Sequence, residues 1–189
     1  MSAIPDVTSL KNNLLLAMPG VSDPLFAHSV TLLCEHSREG AMGIVINRPL
    51  DINWRDVFEQ LNCSSAGHED RQVLAGGPVQ MGRGFVLHPR TEQQWDHSLN
   101  IGPEATLTTS MDIINALANG EGPPDSLLAL GYAGWSAGQL EHEIANNFWL
   151  TLPADYQLLF CVPLHLKAEA AARKLGIDLD LMSPVAGHA

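Results

Sequence analysis

The chain has 189 residues, 46% of them hydrophobic and 16% charged, with a formal net charge of −11 at pH 7. That composition fills one domain core and excludes a disordered chain. With ten basic residues and no Lys/Arg run beyond Arg173-Lys174, it also opposes contact with a phosphate backbone or an anionic membrane.

Leu14 to Met18 reads as a buried strand ended by Pro19-Gly20, and Asp23-Pro24 opens a short turn or helix through His28. Val30 to Glu35 and Met42 to Ile46 are strands joined by a hairpin at Ser37 to Gly40, and Asn47-Arg48-Pro49 ends the second of them. Asn53 caps a helix with Asp56 in its first turn and an apolar stripe of Trp54, Val57, Phe58 and Leu61. Asn62 to Asp70 is a surface loop. Gln72 to Ala75 is a short strand running into Gly76-Gly77-Pro78, and Gly84 to His88, Ser98 to Ile101 and Ala105 to Leu107 are further strands.

Thr109-Ser110-Met111-Asp112 matches a capping box before the apolar face Ile113, Ile114 and Leu117, which Gly120 ends. Ser126 to Tyr132 reads as a strand leading into a glycine-rich aromatic turn, Gly131 to Trp135. Ser136 and Gln139 form a second capping box, and Ala137, Leu140 and Ile144 point inward. Asn147 to Leu152 returns as a strand, Asp155 to Cys161 is a short helix, and a longer helix starts at Pro163. Glu169 and Arg173 pair on that helix and Gly176 stops it; a loose tail follows from about Ser183. The first-half strands lack long helical crossovers. The fold expected is an α/β (α+β) sandwich, a mixed and largely antiparallel sheet covered by helices, one domain over residues 1–189.

Chemical signals are sparse. His142-Glu143 is followed by Asn146 where a zinc helix needs a second imidazole, and the eight histidines show no liganding spacing, so no metal is expected. Gly76-Gly77-Pro78-Val79 lacks the Lys and Ser/Thr of a phosphate loop, there is no GxSxG elbow, and no cofactor is expected. Cys34, Cys63 and Cys161 form no CxxC and read as free thiols in a reducing cytoplasm. The N-terminus has no signal-peptide pattern, and no apolar run approaches the roughly 20 residues of a membrane span. Among polar groups, Gln139 and Glu143 share a helix face, with Asn147 one turn on; they stitch the helix to a neighbour or orient a ligand. Arg48 is placed to hold a ligand's carboxylate or phosphate, or an internal carboxylate with Glu141 or Glu143 as natural partners. Tyr132, Trp135 and Trp149 line an apolar cleft or the core, and His88, closing an apolar strand, is the histidine to test.

Several blocks together resemble the AlgH/YqgE family of bacterial proteins. They are Ala17-Met18-Pro19 with Asp23-Pro24 and Phe26, Gly40 through Pro49, Gly76 through Val79, Arg83 through His88, and Gly131 through Glu143 followed by Asn147 and Trp149; the end, Ala186 to Ala189, also resembles a family tail. The resemblance implies an α/β sandwich, a role tied in name to the transcriptional control of alginate, and glycine-rich blocks framing a shallow hydrophobic cleft. It carries over no catalytic residue or cofactor.

Two functional expectations result. In the first, a non-catalytic regulatory protein binds a protein or small-molecule partner where three glycine-rich turns converge: Asn47-Arg48-Pro49, Gly76-Gly77-Pro78, and Gly131-Tyr132 with Gly134-Trp135. Any effect on transcription then runs through that partner, without direct nucleic-acid contact, from a monomer or weak oligomer. In the second, a hydrolase or nuclease uses Glu141 or Glu143 with His88, alone or with a divalent ion.

Overall fold

The computed structural model describes residues 8–64 and 70–182; the expected tail and the middle of the Asn62 to Asp70 loop lie outside the described residues. Among these, ten strands form one curled mixed sheet. They are β1 (Asn13–Ala17), β2 (Val30–Ser37), β3 (Gly40–Val45), β4 (Pro49–Asn53), β5 (Gln72–Ala75), β6 (Val79–Pro89), β7 (Ser98–Asn100), β8 (Ala105–Thr108), β9 (Leu127–Ser136) and β10 (Trp149–Pro153). The main path runs β10-β1-β2-β3-β9-β6-β8-β7, and the β4–β5 pair joins through β9. All pairings are antiparallel except β5 with β9. The helices are α1 (Trp54–Gln60), α2 (Met111–Ala118), α3 (Gln139–Ala145) and α4 (Lys167–Lys174). This is the single-domain α/β sandwich the sequence implies.

Both faces of the sheet are covered, which explains the blurred alternation of the strands. Leu14, Leu16 and Leu32 join a cluster that includes Ala171 and Ala172 of α4. Leu15, Ala17 and Leu33 face Leu140 of α3 with Ala133, Trp135 and Trp149. A third cluster sets Trp54 and Phe58 of α1 against Ile113, Ile114 and Leu117 of α2 over Val86 and Leu128. Each fully buried leucine contributes about 2 kcal/mol, so a run such as Leu14-Leu15-Leu16, all at 0% exposure, anchors two layers at once.

The expected turn at Gly131 to Trp135 is a strand. β9 continues unbroken through it and changes partner: Ala129 and Leu130 pair with β5, and Ala133 to Ser136 with β3. Gly131, at φ 76°, makes the change possible. Before it, even-numbered Leu128 faces α1 and α2; after it, odd-numbered Ala133 and Trp135 face α3, while Tyr132 packs in the α4-side cluster. One left-handed residue thus shifts the parity of a strand without ending it. Gly77 crosses the Tyr132 backbone so closely that a β-carbon there would overlap the Tyr132 carbonyl. Glycine at these places therefore serves the chain crossing.

Smaller corrections have local causes. Pro49 opens β4, because proline is tolerated as the first residue of a strand. β6 begins at Val79, its pairing with β9 interrupted by a register shift before Gly84. The cap of α2 is Ser110, and the Ser110 hydroxyl donates to Asp112. α3 starts two residues later than its capping-box signal: Gln139 accepts from the Ser136 N–H and hydroxyl, but Ser136 belongs to β9 and Gly138 is the cap. Residues Gln157–Cys161 form a π-helical turn, and a 3₁₀ turn at Leu164–Leu166 precedes α4. The expected Asn53 cap, which closes a capping box with Asp56, the Ser37 to Gly40 hairpin, the Glu169–Arg173 pair and the Gly176 stop are all present.

The cysteines are free, with Cys34 buried, Cys63 half-buried and Cys161 exposed. Burial pushes the Cys34 thiol up to about 12, and only a thiolate is a competent nucleophile. Iodoacetamide at pH 8 is therefore expected to alkylate Cys161 in the native protein and to reach Cys34 only in denaturant. Mass spectrometry of partly labelled protein checks this; early modification of Cys34 would contradict the burial.

Candidate functional site

Glu143 is the centre of the best-ordered polar arrangement. Its Oε2 accepts from the indole N–H of Trp135 at 2.9 Å and of Trp149 at 2.8 Å, and its Oε1 accepts from Gln139 Nε2 at 3.0 Å. The chain arranges this locally. Trp135 comes from β9, Gln139 and Glu143 lie one turn apart on α3, and Trp149 opens β10. α3 ends with the Phe148 N–H on the Glu143 carbonyl and the Asn147 N–H on the Ile144 carbonyl. Asn147 supplies the left-handed residue of that double closure, at φ 60°. The closure turns the chain so that Phe148 is exposed while Trp149 is buried. Phe26 completes the aromatic group, with its ring centroid 5.7 Å from that of Trp149 and 6.4 Å from that of Trp135.

Two openings flank Trp135, and both are lined by Gly134 and Trp135. On one side a groove of about 790 Å³ runs over Met42, Phe85, Leu107 and Tyr132, with Arg83, Glu35 and Asp96 among its polar residues. On the other a hollow of about 300 Å³ lies among Phe26, Phe148 and Trp149, with Asp23 and Glu143. The structure thus brings together Tyr132, Gly134, Trp135, Gln139, Glu143 and Trp149.

The other two turns adjoin each other and β9 through their backbones, with the Ala75 N–H on the Arg48 carbonyl and the Gly76 N–H on the Leu130 carbonyl, but they stay out of both openings. Asn47 accepts the Val30 N–H at 2.8 Å and donates to the His28 carbonyl at 3.0 Å. Arg48 reaches neither Glu141 nor Glu143: its guanidinium donates to the carbonyls of Pro24 and Ala27 at 2.6 and 2.8 Å. It satisfies the irregular loop at residues 23–28, whose own backbone leaves these acceptors free. Gly76 meets the Gly131 backbone and Gly77 that of Tyr132. Asn47, Arg48, Pro49, Gly76, Gly77 and Pro78 line neither opening.

The hydrolytic constellation does not assemble. His88 is buried, with Nδ1 donating to the Pro89 carbonyl and Nε2 accepting from the Thr108 hydroxyl, each at 2.8 Å. Burial pulls its imidazole below the ordinary range, against the Pro89 bond. It follows Leu87, which pairs with Leu127 at one end of β9, whereas α3 follows the other end. Glu141 is taken by His36: His36 Nδ1 accepts the Leu10 N–H, so Nε2 carries the proton and donates to Glu141 at 2.6 Å. Burial would raise the Glu141 carboxyl, but its own N–H and His36 hold it below the usual carboxylate range. Among the described residues no group of three or more His, Cys, Asp and Glu side chains stands close enough to hold a metal.

Sequence reasoning missed Asp23, Phe26 and Phe148 as walls of the hollow. Asp23-Pro24 and Phe26 carried a signal, since they stood out as a motif; Phe148 carried none beyond adjacency to Trp149.

A family model described as AlgH-like (DUF179) matches residues 14–180. The chain belongs to this AlgH-like family. Among its relatives are UPF0301 proteins of Saccharophagus degradans, 52% identical over 99% of this chain and 92% of the relative, and of Thioalkalivibrio sulfidiphilus, 51% identical over 96% and 98%. The solution structure of the AlgH protein from Pseudomonas aeruginosa is 46% identical, covers 100% of both chains and superposes with a TM-score of 0.78. A Corynebacterium diphtheriae crystal structure, 20% identical over 97% of this chain and 94% of its own, shares the fold with a TM-score of 0.70. No described helix is long and apolar enough to cross a membrane.

Proposed function

We propose that this AlgH-like protein is a non-catalytic regulatory protein that binds a partner protein in the cleft around Trp135. The observation that supports this reading is the Gly134–Trp135 ridge: two openings meet at a tryptophan fixed by Glu143, beside a bare glycine. A preformed apolar surface with few polar anchors binds without reorganising. The catalytic alternative lacks a comparable support, because His88 and Glu141 are consumed by structural bonds. The net charge of −11 favours an effect on transcription through the partner over one through DNA. The free cysteines fit a cytoplasmic site of action.

Gly134→Leu tests the reading. A β-carbon at Gly134 meets only the Tyr132 ring, at 3.7 Å, so the substitution fills the groove without a backbone clash. In a pull-down from native lysate, the variant is expected to lose the protein that the wild type retains, with an unchanged unfolding midpoint. Full retention of that protein by Gly134→Leu would sink the proposal.

A further inference from the structure

The two openings beside Trp135 differ in charge. The groove mixes Arg83 and His97 with Glu35 and Asp96. The 300 Å³ hollow has aromatic walls, Phe26, Trp135, Phe148 and Trp149, two carboxylates, Asp23 and Glu143, and no Lys, Arg or His in its lining. Aromatic rings attract a cation through their quadrupole, and a carboxylate adds direct attraction.

The hydrogen bonds sharpen this preference. Both indole N–H groups donate to Glu143 Oε2. A carboxylate on an indole N–H pushes electron density into the ring, which strengthens its hold on a cation. Glu143 accepts from three scaffold donors, Trp135, Trp149 and Gln139. A carboxylate offers about four acceptor positions, so it is held in place and still has capacity on Oε1. Asp23 uses Oδ1 to accept the Leu25 N–H at 2.9 Å, and its Oδ2 remains for a ligand. The net charge of −11 draws cations toward the surface as a whole.

We infer that this hollow binds an organic cation, an ammonium or guanidinium head group, walled by Phe26, Phe148 and the two tryptophans and balanced by Asp23 and Glu143. The inference rests on the binding role proposed above and names the chemistry of one part of that cleft. The head group arrives either on a basic side chain of the partner or as a free small amine; the cation chemistry is common to both.

The test is a titration of ¹⁵N-labelled protein with tetramethylammonium, with N-acetyl-arginine amide, and with the neutral isostere 3,3-dimethylbutan-1-ol. The indole N–H resonances of Trp135 and Trp149 are expected to shift saturably with a cation, and the neutral isostere to bind at least about tenfold more weakly. Preference for tetramethylammonium identifies a small-amine site, and preference for the arginine amide a partner side chain. Asp23→Asn, which keeps the acceptor for Leu25, is expected to weaken binding about three- to tenfold, and so is Phe148→Ala at a side chain already 42% exposed. Equal binding of the neutral isostere, no saturable shift of either indole with either cation, or full affinity in Asp23→Asn overturns the inference. None of these results touches the pull-down with Gly134→Leu; conversely, retention of the partner by Gly134→Leu would end the wider binding role and leave the cation titration standing.

Discussion

Glu143→Ala is expected to lower the unfolding free energy by about 3–5 kcal/mol, which is large against the 5–15 kcal/mol of a typical domain. The substitution leaves two indole N–H groups without an acceptor, on tryptophans only 7% and 4% exposed. It also removes the group that ties α3 to β9 and β10, since Gln139 bonds the same carboxylate. A buried donor stripped of its partner costs about 1–3 kcal/mol, and bonds to a charged acceptor stand at the upper end. Glu143→Gln keeps one acceptor oxygen for the indoles and is expected to cost about half as much. Urea unfolding followed by circular dichroism measures both. Near-native stability of Glu143→Ala would mean that the tryptophans find another acceptor and that the carboxylate is present for binding alone.

The second large effect is at Lys167, a charged residue only 1% exposed. Its Nζ donates to the carbonyls of Leu158 and Leu159 at 2.6 and 2.7 Å. The reason lies in the π-helical turn over Gln157–Cys161, whose characteristic bond runs from the Val162 N–H to the Gln157 carbonyl. The next carbonyl, of Leu158, would need an N–H from residue 163, and that residue is proline. Lys167 supplies the missing donor. Burial brings its ammonium down from 10.5 to about 8. Between those values the unfolded chain holds more protons than the folded one, so the contribution of this group to stability rises with pH. It is flat below about pH 8 and flat again above 10.5, and the rise between them amounts to about 3 kcal/mol. Cys34 works in the opposite direction above pH 9, because burial raises its thiol. Subtracting the stability of Lys167→Met at each pH cancels that contribution and leaves the lysine alone. An unchanged difference from pH 7.5 to 10.5 would show that the amine keeps its ordinary affinity for protons.

Much of the molecule was legible in its amino-acid order. Asn53 with Asp56, the Glu169–Arg173 pair and the left-handed Gly176 each depend on groups within four residues, so their chemistry is complete in a short window. Local signals erred where a distant chain outweighed them. Gly131 to Trp135 looked like a turn because glycine permits one, but β3 and β6 pair along it and keep it extended. Arg48 looked like half of a salt bridge, but loop carbonyls beside its strand end claimed the guanidinium first.

The candidate site divides in the same way. Trp135, Gln139, Glu143 and Trp149 stood out by composition and by spacing on α3, because a helix turn brings i and i+4 together whatever surrounds it. The sequence by itself determined an acidic, helix-covered sheet of the AlgH-like family and the residues of its aromatic knot. Only the tertiary structure decided that the knot closes on one carboxylate, that His36 and His88 are spent on structural bonds, and that Asp23, Phe26 and Phe148 wall an opening. Those outcomes depend on which strands lie side by side and in what register, which is set by burying both faces of the sheet at once and cannot be read from any single segment.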